Sequence, residues 1–283
     1  MLSGRLGLER SRIPHADRHG LIWLERGRLF VEDGCLRFSV VLDGEIQIDT
    51  IPFQAISAVL LGPGGTVTHD ALRLMARHGT ALLAIGQGGV RCYTSAPIGP
   101  DSSDVARQQV KLWADPKGRL TVARRMYALR MGEVLPHRDL EVLRGIEGAR
   151  AKAMYQLMAQ RHGVPWSSRR YDRENPDAAD IPNQAINHVS SAVVAAATIA
   201  VYSVGAIPQL GFIHEASGSA FILDVADLFR DTVTLPVAFA CAAMTKKTGD
   251  SVDRLARKNS SLAFERQQLI PKMIDQIKSV LAD

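Results

Sequence analysis

The chain has 283 residues, 46% hydrophobic and 22% charged, the balance of a globular protein with room for one large core or two domains. Its three cysteines, Cys35, Cys92 and Cys241, are odd in number and far apart, which argues against a disulfide framework or a CxxC zinc site and predicts a reducing cytoplasm. The net charge of +5 is uneven: Asp101 to Arg173 carries +7 and the remainder −2, so a concentrated positive field points to a polyanionic partner such as nucleic acid.

In chain order, the opening "MLSGRLGLERSRIPHADR" is too charged for a signal peptide. Residues 20 to 96 read as β-rich. "GRLFVEDGCLRFSVVLDGEIQI" places Asp33-Gly34 and Asp43-Gly44 between alternating or β-branched runs, the signal of two hairpins. Further strands are expected at "AISAVLL", "ALLAIG" and "VRCYTSA". Between them "THDALRLMARHG" predicts one short helix, capped by Thr68 and stopped at Gly79. "SAPIGPDSSD" marks a boundary, and the chain beyond it is helical.

Helical periodicity runs through "VARQQVKLWAD", "LTVARRMYALRMGEVL" and the stretch from Asp139 to Gly163. A polar loop, "VPWSSRRYDRENPDAADIP", follows. Ile181 to Ile213 contains no Asp, Glu, Lys or Arg. That run is long enough to cross a bilayer, but its Ala, Ser and Thr content predicts a helix buried in a helical domain, with no membrane partner. "VAFACAAM" and a final amphipathic helix, roughly residues 260 to 281, complete the chain. The expected fold is α+β: an N-terminal β-rich, β-sandwich-like domain with one short helix (residues 1–98), then an all-α domain (99–283).

Several motifs are excluded. "GQGGVR" puts Arg91 at the third glycine position of a dinucleotide fingerprint, "GPGGTVTHD" lacks a P-loop's Gly-Lys-Ser/Thr, and "HEASG" has Gly218 where a zincin needs its second His. Two features remain. In "FIHEASGSAFILDVADLF", His214, Asp224 and Asp227 lie in an apolar run. On a helix the aspartates share a face about 60° wide, and Asp231 falls on it too. Taken alone, this is either an amphipathic helix with solvated aspartates or a hard-metal site.

The second feature is Glu147, which falls on the apolar stripe Leu140, Leu143, Ala151, Met154 and Met158. A carboxylate facing a core needs a partner. It is either an ion pair with Arg144 or Arg150, or a ligand set to which Gly145 and Gly148 admit another backbone, a metal or a phosphate. Each glycine costs about 1 kcal/mol in a helix interior. Glu147, His214, Asp224 and Asp227 together suit Mg²⁺ or Mn²⁺, and next to a basic surface they point to phosphoryl transfer on nucleic acid.

At these residues the chain resembles the CRISPR-associated adaptation integrase and endonuclease family, in its type I-E branch. "LRGIEGARAKAMY" resembles the family's glutamate helix, "WSSRRYD" a loop particular to that branch, and "GFIHEASGSAFILDVADLF" its His/Asp segment. "GPGGTVTHDALRLMARHGTALLAIGQGGVRCY" matches in order and spacing, and the similarity spans roughly residues 10 to 280.

The resemblance implies a cytoplasmic, homodimeric, metal-dependent integrase of double-stranded DNA with a catalytic helical domain and a β domain for dimerisation and DNA contacts. It inserts short foreign fragments into the repeat array, the fragment's 3′-hydroxyl attacking a phosphodiester. It makes Glu147, His214 and Asp227 the ligands of Mg²⁺ or Mn²⁺, with Asp224 supporting the site. It places Tyr171 near the DNA end and Arg91, Arg254 and Arg257 on the DNA backbone, and it implies a small companion protein bridging two dimers. Where many members of the branch read Thr-Gly-Lys after the His, this chain has Glu215-Ala216-Ser217. Glu215 is then either an added metal ligand or a surface residue. The alternatives are a metal-dependent endonuclease acting on branched DNA and a non-catalytic DNA-binding scaffold.

Overall fold

The computed structural model describes residues 21–56, 58–86, 92–95, 103–137, 139–170 and 179–282. They fall into two compact units divided between Ile98 and Gly99.

The first unit holds two four-stranded sheets. In one, β2 (Gly27–Glu32), β3 (Cys35–Leu42) and β4 (Glu45–Thr50) form a meander, and β6 (Thr66–Val67) adds to β2 in parallel. Both expected hairpins are present, with Glu32 opposite Cys35 and Leu42 opposite Glu45. Asp33, Gly34, Asp43 and Gly44 all have φ between 51° and 85°. Two successive positive φ values make the turn twist with the strands it joins, which is why Asp-Gly serves here. The second sheet runs β1 (Leu21–Leu24), β5 (Ala58–Leu61), β7 (Ala81–Ile85), β8 (Cys92–Ser95). Its first three strands are parallel, a pairing that strand periodicity does not reveal.

Helix α1 (His69–His78) makes the crossover before β7. Thr68 Oγ1 accepts from the Ala71 N–H at its start, and Gly79 at φ 69° ends it. Leu24, Val59 and Leu61 of one sheet, Leu29, Leu36 and Phe38 of the other, and Leu74 and Met75 of α1 form one buried core, the sandwich-like packing of the expected class.

The second unit is helical: α2 (Asp104–Ala114), α3 (Pro116–Met131), α4 (Leu140–His162), α5 (Ile181–Ser203), α6 (Ala220–Asp227), α7 (Leu235–Thr248), α8 (Val252–Gln267) and α9 (Leu269–Val280). Gly132, Gly163 and Gly249 end α3, α4 and α7 in the left-handed conformation. By length and composition α5 could cross a membrane. In this unit it packs against α6, α7, α8 and α9, with Ile186, Val189, Val193, Ala197 and Val201 buried in the core.

The last element departs from expectation. A single helix over residues 260 to 281 is two: α8 begins at Val252, and Gln268, at φ 50°, separates it from α9. Pro271 explains the break. In a continuous helix its ring would clash with the Gln267 carbonyl and leave it without a donor, whereas in the first turn of α9 no donor is required.

Candidate active site

The site is assembled around residues 211 to 214. Gln109, fully buried on α2, donates to the Ile207 and Leu210 carbonyls at 3.0 and 2.9 Å and accepts from the Ile207 N–H at 2.7 Å. Trp113 Nε1, one turn further, donates to the Gly211 carbonyl at 3.0 Å. Gly211 has no alternative: a Cβ there would lie 2.3 Å from the His214 carbonyl oxygen and 2.7 Å from Ala220 Cβ.

From α6 the Asp224 carboxylate gathers the next three residues. Its Oδ2 accepts from the N–H groups of Phe212 (2.6 Å) and Ile213 (3.1 Å), and its Oδ1 from the His214 N–H (2.9 Å). The same Oδ1 lies 2.7 Å from His214 Nδ1. With its side chain 0% exposed, Asp224 is a structural anion, sustained by charge-assisted hydrogen bonds. That bond assigns the ring proton to Nδ1 and leaves Nε2 as the acceptor. The imidazole pKa is held above its ordinary 6.5, chiefly by the bond to Asp224. Burial opposes this, the charges of Asp224 and Asp227 add to it, and Arg230 works against it.

A cleft of about 990 Å³ opens beside this loop, lined among others by Tyr127, Arg130, Arg144, Glu147, His214, Glu215, Asp224, Asp227 and Arg230. The four residues singled out in the sequence thus meet from α4, α6 and the loop before it. Asp227 Oδ2 lies 3.9 Å from His214 Nε2, and its Oδ1 3.6 Å from Arg230 Nη1. Glu147 is ion-paired, but with neither expected arginine: Arg130 of α3 holds it at 2.5 Å and reaches within 3.9 Å of Asp227. Arg144 instead pairs with Glu141 and donates to the Ile213 carbonyl, and Arg150 pairs with Glu133. Glu147 and Arg150 take partners from outside α4, whereas Arg144 takes Glu141, three residues before it on the same helix. As the side chains stand, no three His, Cys, Asp or Glu among the described residues are gathered tightly enough to hold a metal.

Other expectations are also revised. Asp231 does not share the face of Asp224 and Asp227: α6 ends at Asp227, a π turn spans Arg230–Thr234, and Asp231 does not line the cleft. The helix is interrupted at Leu228 and Phe229, whose N–H groups donate to the Val225 and Ala226 carbonyls, so the seven-residue periodicity does not carry through. Among the described residues no backbone approaches Gly145 or Gly148, where a Cβ would meet nothing within 4 Å. Glu215 lines the cleft and is paired with Arg119, whose guanidinium lies 5.7 Å from the Trp113 ring centroid. With its side chain 60% exposed, it is a surface residue held in an ion pair. Arg254 and Arg257 are exposed on α8, outside the cleft lining, with Arg257 paired to Asp253 at 2.8 Å. Arg91 and Tyr171 lie outside the described residues.

Sequence reasoning missed Arg130 and Tyr127. The signal was available, because Ala123, Met126, Tyr127 and Arg130 share one face of α3 and the first three are buried. That places a charge on an apolar stripe, as at Glu147. Burial and, next, the Glu147 charge raise the Tyr127 phenol pKa, while Arg144 and Arg130 act to lower it.

Comparison with known proteins agrees with the fold. Residues 21–135 and 127–258 match the family model described as CRISPR associated protein Cas1. The chain is 37% identical over 271 residues to the CRISPR-associated endonuclease Cas1 of Geobacter sulfurreducens, and 36% identical to that of Escherichia coli K12. Each alignment covers 95% of this chain and 87% of the relative. Among solved structures, a TtCas1–DNA complex superposes with a TM-score of 0.61 at 30% identity, covering 94% of this chain and 97% of that one. A casposase bound to its integration product (TM-score 0.55, 15% identity, 93% and 91% covered) shares the fold.

Proposed function

Because the chain belongs to the CRISPR-associated Cas1 family, we propose that it is a divalent-metal-dependent DNA integrase of CRISPR adaptation, in the type I-E branch. It joins short foreign fragments to a repeat array by transesterification. The fragment's 3′-hydroxyl gives up its proton as its oxygen bonds to phosphorus in the repeat, the repeat's own P–O3′ bond breaks, and the departing 3′-oxygen takes up a proton. The observation that carries this reading is the convergence of Glu147, His214 and Asp227 from separate segments on one cleft with Arg130, Arg144 and Arg230.

The donor set fits Mg²⁺ or Mn²⁺: two carboxylates and one imidazole, whose Nδ1 is committed to Asp224 and whose Nε2 lone pair is left for the ion. Glu147, His214 and Asp227 would hold the ion, which when bound lowers the pKa of the attacking hydroxyl and steadies charge on the departing oxygen. Asp224 keeps His214 in one tautomer and position. The three arginines make the cleft attractive to a phosphate backbone. The exposed Val41, Leu42, Ile46 and Ile48 of the β3–β4 hairpin support a homodimer formed through the β unit. By family resemblance, two such dimers are bridged by a small companion protein.

The relatives' designation as endonucleases favours a second reading, cleavage of branched DNA without joining, by the same residues. A strand-transfer assay separates the two. The protein, with and without its companion, is incubated with Mn²⁺ or Mg²⁺, a duplex bearing 3′-hydroxyls and a supercoiled repeat plasmid. Covalent joining that is lost with EDTA, Glu147→Ala or His214→Ala is the expected result. Nicking or branch cutting alone would replace integration with cleavage, and DNA binding without either would leave a scaffold.

A further inference from the structure

Arg130 occupies the position in the cleft where a cation is needed. It lies on the inward face of α3 beyond Met126 and Tyr127, and its side chain is only 9% exposed. One guanidinium nitrogen is 2.5 Å from Glu147 Oε1 and another 3.9 Å from Asp227 Oδ2. Two of the three carboxylate and imidazole donors therefore converge on a positive charge belonging to the chain itself. With that charge in place, the donors are not gathered around a common point.

We propose that Arg130 is an exchangeable counter-ion: it neutralises Glu147 and Asp227 in the metal-free protein, yields them to a divalent cation, and then pairs with a phosphate of the bound DNA. This rests on the metal-dependent DNA reading above. Two carboxylates facing one cleft repel unless a cation lies between them, and Arg130 supplies it. A divalent ion on the same carboxylates competes with the guanidinium and repels it. Arginine cannot shed its proton, so once displaced at 9% exposure it would be a buried unpaired charge, which is strongly unfavourable. It needs another anion, and a phosphodiester offers two oxygens that suit its planar fork. Metal and DNA therefore bind cooperatively, each making the other's site available.

A merely structural Arg130, one that only holds the two acids in position, predicts the opposite sign, because removing it would loosen the ligands and weaken metal binding. The test is Mn²⁺ binding followed by the electron paramagnetic resonance of the free ion, which needs no turnover. Wild type, Arg130→Gln, Arg130→Lys and Glu147→Ala are titrated with and without a short duplex lacking 3′-hydroxyls. Without DNA, Arg130→Gln binds Mn²⁺ about tenfold tighter than wild type, the scale of one ion pair lost as competitor. DNA tightens Mn²⁺ binding by wild type at least about fivefold, and this gain largely disappears in Arg130→Gln. Arg130→Lys, which keeps the charge without the fork, falls between the two.

Unchanged or weaker Mn²⁺ binding by Arg130→Gln overturns the proposal, as does a wild type indifferent to DNA. If Arg130→Gln fails to fold, the lysine variant and the wild-type coupling decide in its place. A wild type that binds no Mn²⁺ at all overturns the metal reading itself, and is distinct from a wild type that binds Mn²⁺ without coupling.

Discussion

Asp224 is the residue on which the site's geometry depends, although it holds none of its oxygens free. Three backbone N–H groups and the His214 ring converge on it, so Asp224→Ala strands several buried donors and should cost about 3 kcal/mol in urea denaturation. Asp224→Asn keeps the shape but removes the charge that raises the His214 pKa. In metal-free protein, NMR titration of that ring should show its pKa falling, and Mn²⁺ binding should weaken about 10- to 100-fold. The linkage has a definite sign. His214 binds its proton more tightly folded than unfolded, so it contributes stability that is full below about pH 6.5 and lost as pH rises through the higher folded value. In EDTA this slope should flatten in Asp224→Asn. A folded variant whose His214 titration is unchanged would show that another group sets the pKa.

At the scale of elements, α4 carries a cost without an internal return. Among the described residues nothing lies within 4 Å of a Cβ placed at Gly145 or Gly148, so the packing described requires neither. Gly148→Ala should stabilise by about 1 kcal/mol through helix propensity, visible as a raised melting temperature. If a DNA strand passes along this side of the helix, the same variant loses strand transfer while gaining stability. Activity that is maintained would show that the glycine serves nothing the DNA needs. Helix α2 plays a complementary part, since Gln109 and Trp113 bond to Ile207, Leu210 and Gly211 and so anchor the chain that leads to His214. The Gln268 break between α8 and α9 likewise follows from one proline rather than from any loss of amphipathic pattern.

For the molecule as a whole, the β3–β4 hairpin is an exposed apolar feature without an evident internal purpose among the described residues. Every residue of β4 is exposed, and Ile46 and Ile48 alternate on this edge strand at 71% and 48% exposure. An apolar, unpaired edge is a template for association. Replacing both isoleucines with lysine should convert a dimer to monomer in size-exclusion chromatography with light scattering, with little change in stability because neither side chain is buried. A wild type that is monomeric at all concentrations would remove the dimer from the reading.

Local chemistry was legible in the sequence. The two Asp-Gly hairpins, the Thr68 and Gly79 caps of α1, the limits of α4 and the charge-free core helix each depend on residues a few positions apart, whose backbone preferences act wherever the chain places them. Glu147, His214, Asp224 and Asp227 could be singled out because charges in apolar runs break a local rule. What those charges touch was a tertiary matter. The parallel pairing of β1, β5 and β7, the division of labour between a buried Asp224 and a cleft-facing Asp227, and Arg130 in place of Arg144 or Arg150 beside Glu147 all depend on which distant segment arrives first in range. A salt bridge takes the partner with the better geometry and less solvent between the charges, and only the packed fold sets those two quantities.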